Sequence, residues 1–472
     1  LGIQMLRGHV QISYYTYLMI GLLFIFESVS LLRERNAREF LVRTGFLAMA
    51  FLLAVGIAMV LIGPVRNYAQ YSIRGGSSGG GLDYGYATGW SLHPKEVLTF
   101  VFPWAFGFGK ATYWGGMPFT DYPNYLGVVA VIFTFIALFR VKSRTKWFLF
   151  TAALLSTLLS FGKHSPFYDL MFNYFPYFNK FRVPVMVLIV QQLAVVMLMG
   201  IGIQKIIDLH HKGELNKPGV MKTVRIGIIC AAGLLLLALA GSGMISSRVQ
   251  TGLDAAPAIR ELAAGLFTRD LIKTTAFLTL TALLVMILSM GKISRGNMLL
   301  VLSLLILIDM LTVAHSIIHP EDTWKSDGYR IVREKRGEEE FKEPDETIRF
   351  LNQDKSIFRI FPAPAVSLNR WSHNSYPFNQ NKYMIHDIFS AGGYHAAKLQ
   401  NYQNLMDRMF ATFRSQSIPV NILNMLNIKY IVSEFPIFRE DNSRYPLVWK
   451  QGQKSIYLNK SFLPRVFFVD RQ

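Results

Sequence analysis

The fold is decided by residues 68–125, which read YAQYSIRGGSSGGGLDYGYATGWSLHPKEVLTFVFPWAFGFGKATYWGGMPFTDYPNY. This stretch separates two apolar runs that are long enough to cross a bilayer, but its first half is too polar and too rich in glycine to be a span. Loops of this length in a compact protein are usually functional or disordered. The many Tyr, Trp and Phe residues argue against disorder. We therefore expect a folded loop that contains functional residues.

Within this loop, His93-Pro94-Lys95-Glu96 predicts the start of a helix, because Pro at a first helical position followed by Glu is typical of helix N-termini. The apolar run over 97–108 is too short to cross about 30 Å of hydrocarbon. We predict a re-entrant or interfacial helix over 94–108 that is broken near Pro103. The five glycines within 75–81 allow tight turns or the close approach of a ligand.

Outside the loop, the chain of 472 residues is 51% hydrophobic, with a mean hydropathy of +0.29. Apolar runs near 20 residues recur, as in a polytopic membrane protein. We predict about eight spans, at roughly 10–32, 44–63, 123–139, 147–161, 185–207, 226–244, 271–290 and 297–317. No signal-peptide pattern precedes the first span. We expect the chain to be a fragment that lacks an N-terminal part, and the strand-like run before residue 470 suggests a cut at the C-terminus too.

The distribution of basic residues predicts the orientation of the spans. The net charge is +19, and four short loops, at 33–43, 140–146, 205–225 and 292–295, together contain 15 Lys and Arg residues. By the positive-inside rule these loops are cytoplasmic, so residues 64–122, residues 162–184 and the C-terminal part face outward. Because most of the excess charge lies among the spans, orientation and lipid contact explain it without nucleic acid.

Residues 318–472 differ from the rest, because charged residues become more frequent and no spanning run recurs. Alternating segments at 358–361, 429–432, 455–458 and 465–469 predict short strands, and 418–426 predicts a short helix. The predicted fold class is therefore mainly α. A polytopic membrane helix bundle over 1–317 is followed by a mixed α/β extracytoplasmic domain over 318–472.

Common signatures of soluble enzymes are absent from the sequence. The glycine-rich patch has no following Gly-Lys-Ser/Thr, and there is no His-Glu-x-x-His or Gly-x-Ser-x-Gly motif. The single cysteine, Cys230, cannot form an intrachain disulfide and is expected to be a core residue.

Three groups of residues at the predicted outer face are candidates for binding or chemistry, and each also has a structural explanation. His9 and Gln11 line a substrate cavity or are polar residues at the membrane interface. Aromatic residues beside carboxylates in the long loop bind a sugar, or the aromatic residues only pack the loop on the membrane. Lys163, Lys180 and Arg182 bind a phosphate or pyrophosphate head group, or they anchor the chain in the interface.

Asp309 is the acid that lies deepest inside a predicted span. An acid inside the membrane is costly and by default suggests a function. Lys273, near the outer end of the neighbouring span, is a candidate partner for it, and we favour a structural ion pair.

Several motifs together resemble the YfhO family of bacterial membrane proteins. They are Gly8-His9-x-Gln11 with Tyr14-Tyr15, Tyr71-Ser72-Ile73-Arg74, the run from Tyr86 to Pro94, Tyr113-Trp114-Gly115, the run from Met117 to Tyr122, the run from Phe178 to Pro184, Gly392-Gly393-Tyr394-His395 and the run from Asn424 to Tyr430. The resemblance extends over nearly the whole chain. One departure is Val10, where the family usually has Pro, and it weakens the case for a rigid turn there.

The resemblance implies a GT-C-like glycosyltransferase. Such an enzyme transfers a sugar from a polyprenyl-phosphate donor to a cell-envelope acceptor, either a polymer such as teichoic acid or a lipid, outside the bacterial cytoplasmic membrane. Its principal catalytic acid would lie in an outer loop that precedes residue 1. The expected partners are the lipid-linked donor, the acceptor and membrane lipids.

The resemblance and the residues together suggest roles for individual side chains. The lipid phosphate would be bound by Arg74, Lys163, Lys180 and Arg182. The sugar would stack on Trp90, Trp114 and Tyr122, with His9, Gln11 and His93 as further substrate-binding residues. The carboxylates that would act as bases, or orient hydroxyls or a divalent metal, are Asp83, Glu96 and Asp121. The alternatives are a transporter or flippase of a lipid-linked precursor, or an envelope scaffold.

Overall fold

The computed structural model describes residues 1–73, 82–109, 112–120, 122–215, 218–318, 343–363, 381–393, 398–414, 419–433, 436–439 and 442–468. The chain divides into two compact units. The first comprises Leu1–Pro64 and Leu82–Glu334, and the second comprises Val65–Gly81 and Lys335–Gln472.

The first unit is helical, and each predicted span falls on a helix. Its helices are α1 Gly2–Leu6, α2 Val10–Arg33, α3 Ala37–Ala69 (which continues past the boundary at Pro64), α4 Tyr84–Ala87, α5 Val128–Arg140, α6 Arg144–Ser160, α7 Pro166–Tyr174, α8 Leu188–His211, α9 Pro218–Ala240, α10 Ser242–Gly252, α11 Pro257–Ser289 and α12 Arg295–Ile318. Within the described part of the chain, five helical segments are long and apolar enough to cross a membrane: α2, α3, α8 with the short turn before it, α11 and α12. The described part of the chain is thus mostly helical with one small sheet, and its apolar helices suggest a membrane protein.

Three other predicted spans fall on shorter apolar segments. Helix α5 has 13 residues and α6 has 17, whereas about 20 residues are needed to cross the hydrocarbon core. Within the described residues of α9, the apolar stretch is Ile226–Leu236. The prediction of eight spans is therefore supported by length and composition for five of them.

The core of the first unit lies where α5, α8, α11 and α12 meet. Val129, Phe133, Ile206, Leu288 and Leu302 are among its buried residues. Helix α8 packs closely on α5 because Gly202 has no side chain. A Cβ atom at that position would lie 2.0 Å from the carbonyl oxygen of Phe133.

The predicted helix over 94–108 forms only in part. Pro94–Phe100 is a 3₁₀ helix, and turns follow it. His93 and Glu96 form a reciprocal cap at its start, as the sequence pattern predicted. The helix ends three residues before Pro103, which lacks the N–H that a helix would need.

The second unit contains a mixed sheet. Its strands are β1 Arg359–Pro362, β2 Ile428–Ser433, β3 Leu447–Gln451 and β4 Lys454–Leu458, in the order β1-β2-β4-β3. Strand β1 is parallel to β2, and the other two pairs are antiparallel. The helices are α13 Glu346–Leu351, α14 Gln400–Arg414 and α15 Val420–Met425. Apolar residues are buried on both faces of the sheet, among them Ile360, Phe361, Ile431, Ile456 and Tyr457.

Three of the four predicted strands correspond to β1, β2 and β4, and the predicted helix over 418–426 corresponds to α15. The fourth prediction, over 465–469, is wrong for the described residues 465–468, which form no strand. Val466 is 80% exposed and Phe468 is 99% exposed, so no neighbouring sheet covers this apolar segment. The sequence analysis missed β3, a half-exposed edge strand joined to β4 by a turn at Gly452.

Residues 71–73, at the start of the long loop, pair with the strand-like segment before α14. The amide of Ile73 donates to the carbonyl of Lys398 at 2.9 Å, and the amide of Gln400 donates to that of Tyr71 at 2.8 Å. These contacts explain why the short segment Val65–Gly81 belongs to the second unit, although the sequence analysis placed it in the outer loop of the helical domain.

Candidate functional site

Three segments of the first unit meet at one end of its helices. They are the start of α2, residues 82–127 and residues 161–187, and we call this region the loop end. Backbone hydrogen bonds join residues 82–127 to the end of α6 and to the segment that follows it, from Leu92 N to Ser160 O at 2.9 Å and from Val183 N to Ala87 O at 3.1 Å. Because these bonds are between segments far apart in sequence, they fix the candidate residues of the two loops relative to each other.

A serine–glycine contact holds the long loop against the end of α6. Ser91 is buried, and its Oγ donates to Thr88 O at 2.7 Å and accepts from Lys163 N at 3.1 Å. Gly162 has φ +48°, and a Cβ there would lie 2.0 Å from Ser91 Oγ. Only glycine fits this position without strain, so the contact fixes the backbone of the next residue, Lys163.

At the loop end, the Arg182 guanidinium lies against two aromatic rings. Its guanidinium carbon lies 4.7 Å from the centre of the Tyr86 ring and 5.4 Å from that of Trp90. The guanidinium also donates a short hydrogen bond to the Tyr86 hydroxyl. Cation–π contacts of this kind hold a guanidinium in place while it keeps its charge. The sequence analysis assigned Arg182 and Trp90 to different groups, and the structure brings them together.

The backbone at Arg182 is also fixed. Gln11 is 7% exposed, and its Nε2 donates to Arg182 O at 2.7 Å and to the Tyr15 hydroxyl at 2.8 Å. Val183 follows with φ +61°, an unusual conformation for a β-branched residue. Gln11 was predicted to line a cavity, and in the structure its side-chain amide supports the backbone of Arg182.

Two histidines and a lysine lie at the same loop end. The rings of His93 and His164 are 5.1 Å apart at an angle of 64°, and both Lys163 and His164 are exposed. Burial, together with the nearby His93 and Lys163, lowers the pKa of the His164 side chain. A binding site for an anion would benefit from such a group, because an anion restores the charged form.

Lys180 belongs to the same loop and is half-buried at the end of a 3₁₀ turn, Phe178–Lys180. Burial lowers the pKa of its ammonium group. The carbonyl oxygen of the preceding residue, Asn179, accepts from Leu82 N at 2.9 Å. The loop that contains Lys180 is therefore joined to the long loop at two points, at Asn179 and at Val183.

Glu96 has the contacts of a structural carboxylate. It is 2% exposed. Its Oε2 accepts from the Tyr113 hydroxyl at 2.9 Å and its Oε1 accepts from Gly116 N at 2.9 Å. A Cβ atom at Gly115 would lie 2.5 Å from Oε2. The carboxylate thus organises the loop around itself, and its oxygens are directed to protein donors.

The other two predicted carboxylates differ from Glu96. Asp83 caps α4, where its Oδ2 accepts from Tyr86 N at 3.0 Å, so it orients the tyrosine that stacks on Arg182. Asp121 and the predicted phosphate ligand Arg74 lie outside the described residues.

The predicted sugar-stacking residues are placed in three different ways. Trp90 is half-buried, with Phe119 edge-on at 5.4 Å and Arg182 on its face. Trp114 packs into an apolar cluster beside α10, where a Cβ atom at Gly252 would lie 2.6 Å from its ring. Tyr122 is 61% exposed. His9, also exposed, is the first flanking residue of α2.

A buried group of charges fastens the long loop to α11 and α12. Asp309 is fully buried, and it accepts from the Tyr125 hydroxyl at 2.5 Å and from Val128 N at 2.9 Å. Lys273 Nζ lies 3.9 Å from Asp309 and 3.7 Å from Asp270. We call Asp270, Lys273 and Asp309 the acid–lysine cluster. The pairing of Lys273 with Asp309 was predicted, and it is present.

Asp270 was missed by the sequence analysis. It is 4% exposed, and its Oδ2 accepts from Trp104 N at 2.5 Å. The predicted span began one residue after it, at 271, so it was counted as a loop residue. Its spacing of three from Lys273 places the two on one helix face and was the signal available in the sequence.

The residues that the structure describes contain no group of three or more His, Cys, Asp or Glu side chains that could hold a metal ion. The carboxylates predicted to orient a metal, Asp83 and Glu96, instead accept hydrogen bonds from backbone amides and a tyrosine.

Comparison of the chain with protein-family models, with curated proteins and with solved structures gave no match.

Proposed function

We propose that this protein is a membrane glycosyltransferase of the GT-C type, related to the YfhO family. It would transfer a sugar from a polyprenyl-phosphate donor to a polymer or lipid of the cell envelope, on the outer side of the bacterial cytoplasmic membrane. The single observation that supports this most is the Arg182 guanidinium held against the rings of Tyr86 and Trp90, at the loop end that also contains Lys163 and the His93–His164 pair. The assignment of the sugar chemistry comes from the sequence motifs.

The chemistry of these groups suits a phosphate that is attached to a lipid. A guanidinium has five N–H donors in a planar fork that matches the oxygens of a phosphate, and the Tyr86 hydroxyl holds the Arg182 guanidinium in place. Lys163 adds a second positive charge from the same segment, residues 161–187, where its backbone amide is fixed by Ser91. When the sugar leaves, negative charge develops on the phosphate, and fixed cations nearby stabilise it.

The aromatic rings provide the second part of such a site. Trp90 contacts Arg182 with its face and Phe119 with an edge, and Tyr122 is exposed in the same loop. Sugar rings stack their C–H faces on such side chains. Trp114 is not part of this proposal, because the cluster beside α10 already covers its ring.

The general base is not assigned to Glu96, because both of its carboxylate oxygens accept hydrogen bonds from protein donors. We also do not assign it to Asp83, because its Oδ2 caps α4. Asp121 remains the candidate that the motif from Met117 to Tyr122 suggests. A carboxylate that acts as general base typically contributes about 10²–10⁴ in rate.

The test follows labelled sugar from a polyprenyl-phosphate donor into envelope polymer and lipid, in membranes that contain the full-length protein. Movement of the donor across the bilayer is measured in the same membranes. We expect Asp121→Asn and Arg182→Gln to reduce transfer while donor movement is unchanged. The control is Lys292→Gln, which removes an exposed charge at the opposite end of α11.

A flippase is the second candidate, and the acid–lysine cluster is the observation that favours it. Ionisable groups inside a helical bundle often mark a transport pathway. In this protein two of the three groups accept hydrogen bonds from loop backbone, which favours a structural role. Loss of donor movement in Asp309→Asn, with transfer reduced in proportion, would support the flippase and contradict the enzyme.

A further inference from the structure

We infer that the first unit has a binding site for an anionic phospholipid between α2 and α6, at the end of the bundle opposite the loop end. A cavity of about 310 Å³ lies there. Arg33 and Arg144 form part of its wall, together with the apolar side chains of Ile25, Val29 and Trp147. The inference requires only that these helices lie in a membrane, and it does not depend on glycosyl transfer.

The position of the cavity follows from the direction of the two helices. Helix α2 ends at Arg33 and α6 begins at Arg144, so the last turns of one pack beside the first turn of the other. The guanidinium of Arg144 joins them, because it donates to Ser30 and, at 2.9 Å, to Glu34. This end of the helix pair is therefore held together by a polar bridge, with the cavity beside it.

The apolar wall faces away from the protein. Ile25 is 57% exposed, Val29 is 43% exposed and Trp147 is 51% exposed. In a membrane such residues contact lipid chains. Trp is also enriched where hydrocarbon meets head groups, because its ring is apolar and its N–H is polar. The wall thus has the composition expected for one acyl chain lying along α2.

The charge at this end favours an anionic head group over a neutral one. Residues 27–43 and 140–146 contain eight basic residues and three acidic ones. Glu27 and Glu39 pair with Arg43, and Glu34 pairs with Arg144. Among the described residues Arg33 forms no ion pair, and its side chain lines the cavity. A phosphate placed between Arg33 and Arg144 would receive charge-assisted hydrogen bonds from both.

This site also fits the orientation predicted from the sequence. The two loops belong to the basic set that the positive-inside rule places on the cytoplasmic side, and anionic lipids are concentrated in that leaflet. Each basic residue near such a surface strengthens binding about fivefold. Because Arg144 is already paired with Glu34, the net charge at the cavity comes from Arg33, and we expect a preference of about fivefold for an anionic lipid.

Trp147 allows the site to be observed directly. The full chain is placed in nanodiscs that contain increasing fractions of brominated phosphatidylglycerol, or of brominated phosphatidylcholine with the same acyl chains. The difference in fluorescence quenching between the unchanged protein and Trp147→Phe gives the quenching of this one tryptophan. We expect half-maximal quenching of Trp147 at about a fivefold lower fraction of phosphatidylglycerol than of phosphatidylcholine.

Variants separate the head group from the acyl chain. Arg33→Gln removes a charge that supports no described ion pair, so it should abolish the preference without unfolding the chain. Val29→Phe fills the cavity while it keeps the charge, and it should reduce quenching by both lipids. Lys292→Gln removes an exposed charge from another basic loop and should change neither lipid's effect.

Two results would overturn the inference. Equal quenching by the two lipids would mean that ordinary surrounding lipid contacts Trp147 and that no anionic site exists. No Trp147-dependent quenching by either lipid would mean that protein covers the cavity, either a second copy or another segment. Melting of Arg33→Gln at the same temperature as the unchanged protein confirms that a lost preference reflects binding.

Discussion

Replacing Asp309 by Ala should detach the long loop from the helices that support it. The carboxylate accepts hydrogen bonds from the Tyr125 hydroxyl and Val128 N, and the substitution leaves both buried donors without it. Each buried donor that loses its acceptor costs about 1–3 kcal/mol, so we expect a loss of about 2–6 kcal/mol in the free energy of unfolding. Lys273 keeps Asp270 at 3.7 Å, so it adds little to this loss.

The more conservative Asp309→Asn should cost less, about 1–3 kcal/mol, because the amide oxygen still accepts one of the two bonds. Asp208→Ala is the matched control. Asp208 lies near the end of α8, where it accepts from Gln204 on the same helix, and its loss should have almost no effect. Unfolding by denaturant or heat in detergent, monitored by tryptophan fluorescence, ranks the three variants by stability.

A second measurement distinguishes loop release from general weakening. Thr112 lies in the long loop and is fully buried. In a chain with Cys230→Ala and Thr112→Cys, we expect Asp309→Ala to accelerate thiol labelling at 112 strongly under native conditions, and Asp208→Ala to leave it unchanged. Unchanged labelling with Asp309→Ala, or equal stability of the two alanine variants, would refute the role assigned to the acid–lysine cluster.

Three further outcomes follow from contacts at the loop end. Gly162→Ala should lower the melting temperature strongly, because a Cβ there would lie 2.0 Å from the buried Ser91 Oγ. Gly200→Ala is the control and should be neutral or slightly stabilising, because a Cβ there would have nothing within 4 Å. Equal effects of the two substitutions would contradict the packing at Gly162. Glu96→Gln should lower the melting temperature, because its NH₂ would face one of two donors that now bind carboxylate oxygens; unchanged stability would argue against a structural role. Burial and the nearby His93 and Lys163 lower the pKa of His164, so its imidazole becomes charged only at a pH below the ordinary histidine range. Binding of a phosphodiester should therefore strengthen as the pH is lowered below that range in the unchanged protein. A pH profile equally steep in His164→Gln would exclude this histidine.

Much of the helical unit could be predicted because its physical signal is local. Apolar runs of the required length predicted α2, α8 and α12 to within a few residues and the C-terminal end of α11, whereas α11 begins 14 residues before the predicted span. Two charges inside apolar runs also suggested that Lys273 pairs with Asp309. A charge buried in hydrocarbon needs a partner, and the sequence contained few possible ones.

The parts that could not be predicted depend on contacts between distant segments. Nothing local indicates that Arg182 stacks on Tyr86 and Trp90, which are more than 90 residues away. The carboxylate of Glu96 had the residue type and position of a catalytic group, and only its donors reveal that it organises the loop.

The sheet illustrates the same limit. Strands β1, β2 and β4 were predicted because alternation is strong where one or both faces are buried. Strand β3 is a half-exposed edge and lacks that signal. The segment around Val466 and Phe468 alternates as a strand does, but no described strand pairs with it and both side chains are exposed.

The measurement that tests the central proposal most directly is the affinity of the purified full-length protein for a polyprenyl-phosphate sugar, compared between the unchanged protein and Arg182→Gln. One charge-assisted hydrogen bond contributes about 1.5–3 kcal/mol, so we predict that donor binding weakens about tenfold or more. Arg182→Lys, which keeps the charge but loses the planar fork, should be intermediate. Equal affinity of the unchanged protein and Arg182→Gln, with both folded, would contradict a donor site at the loop end.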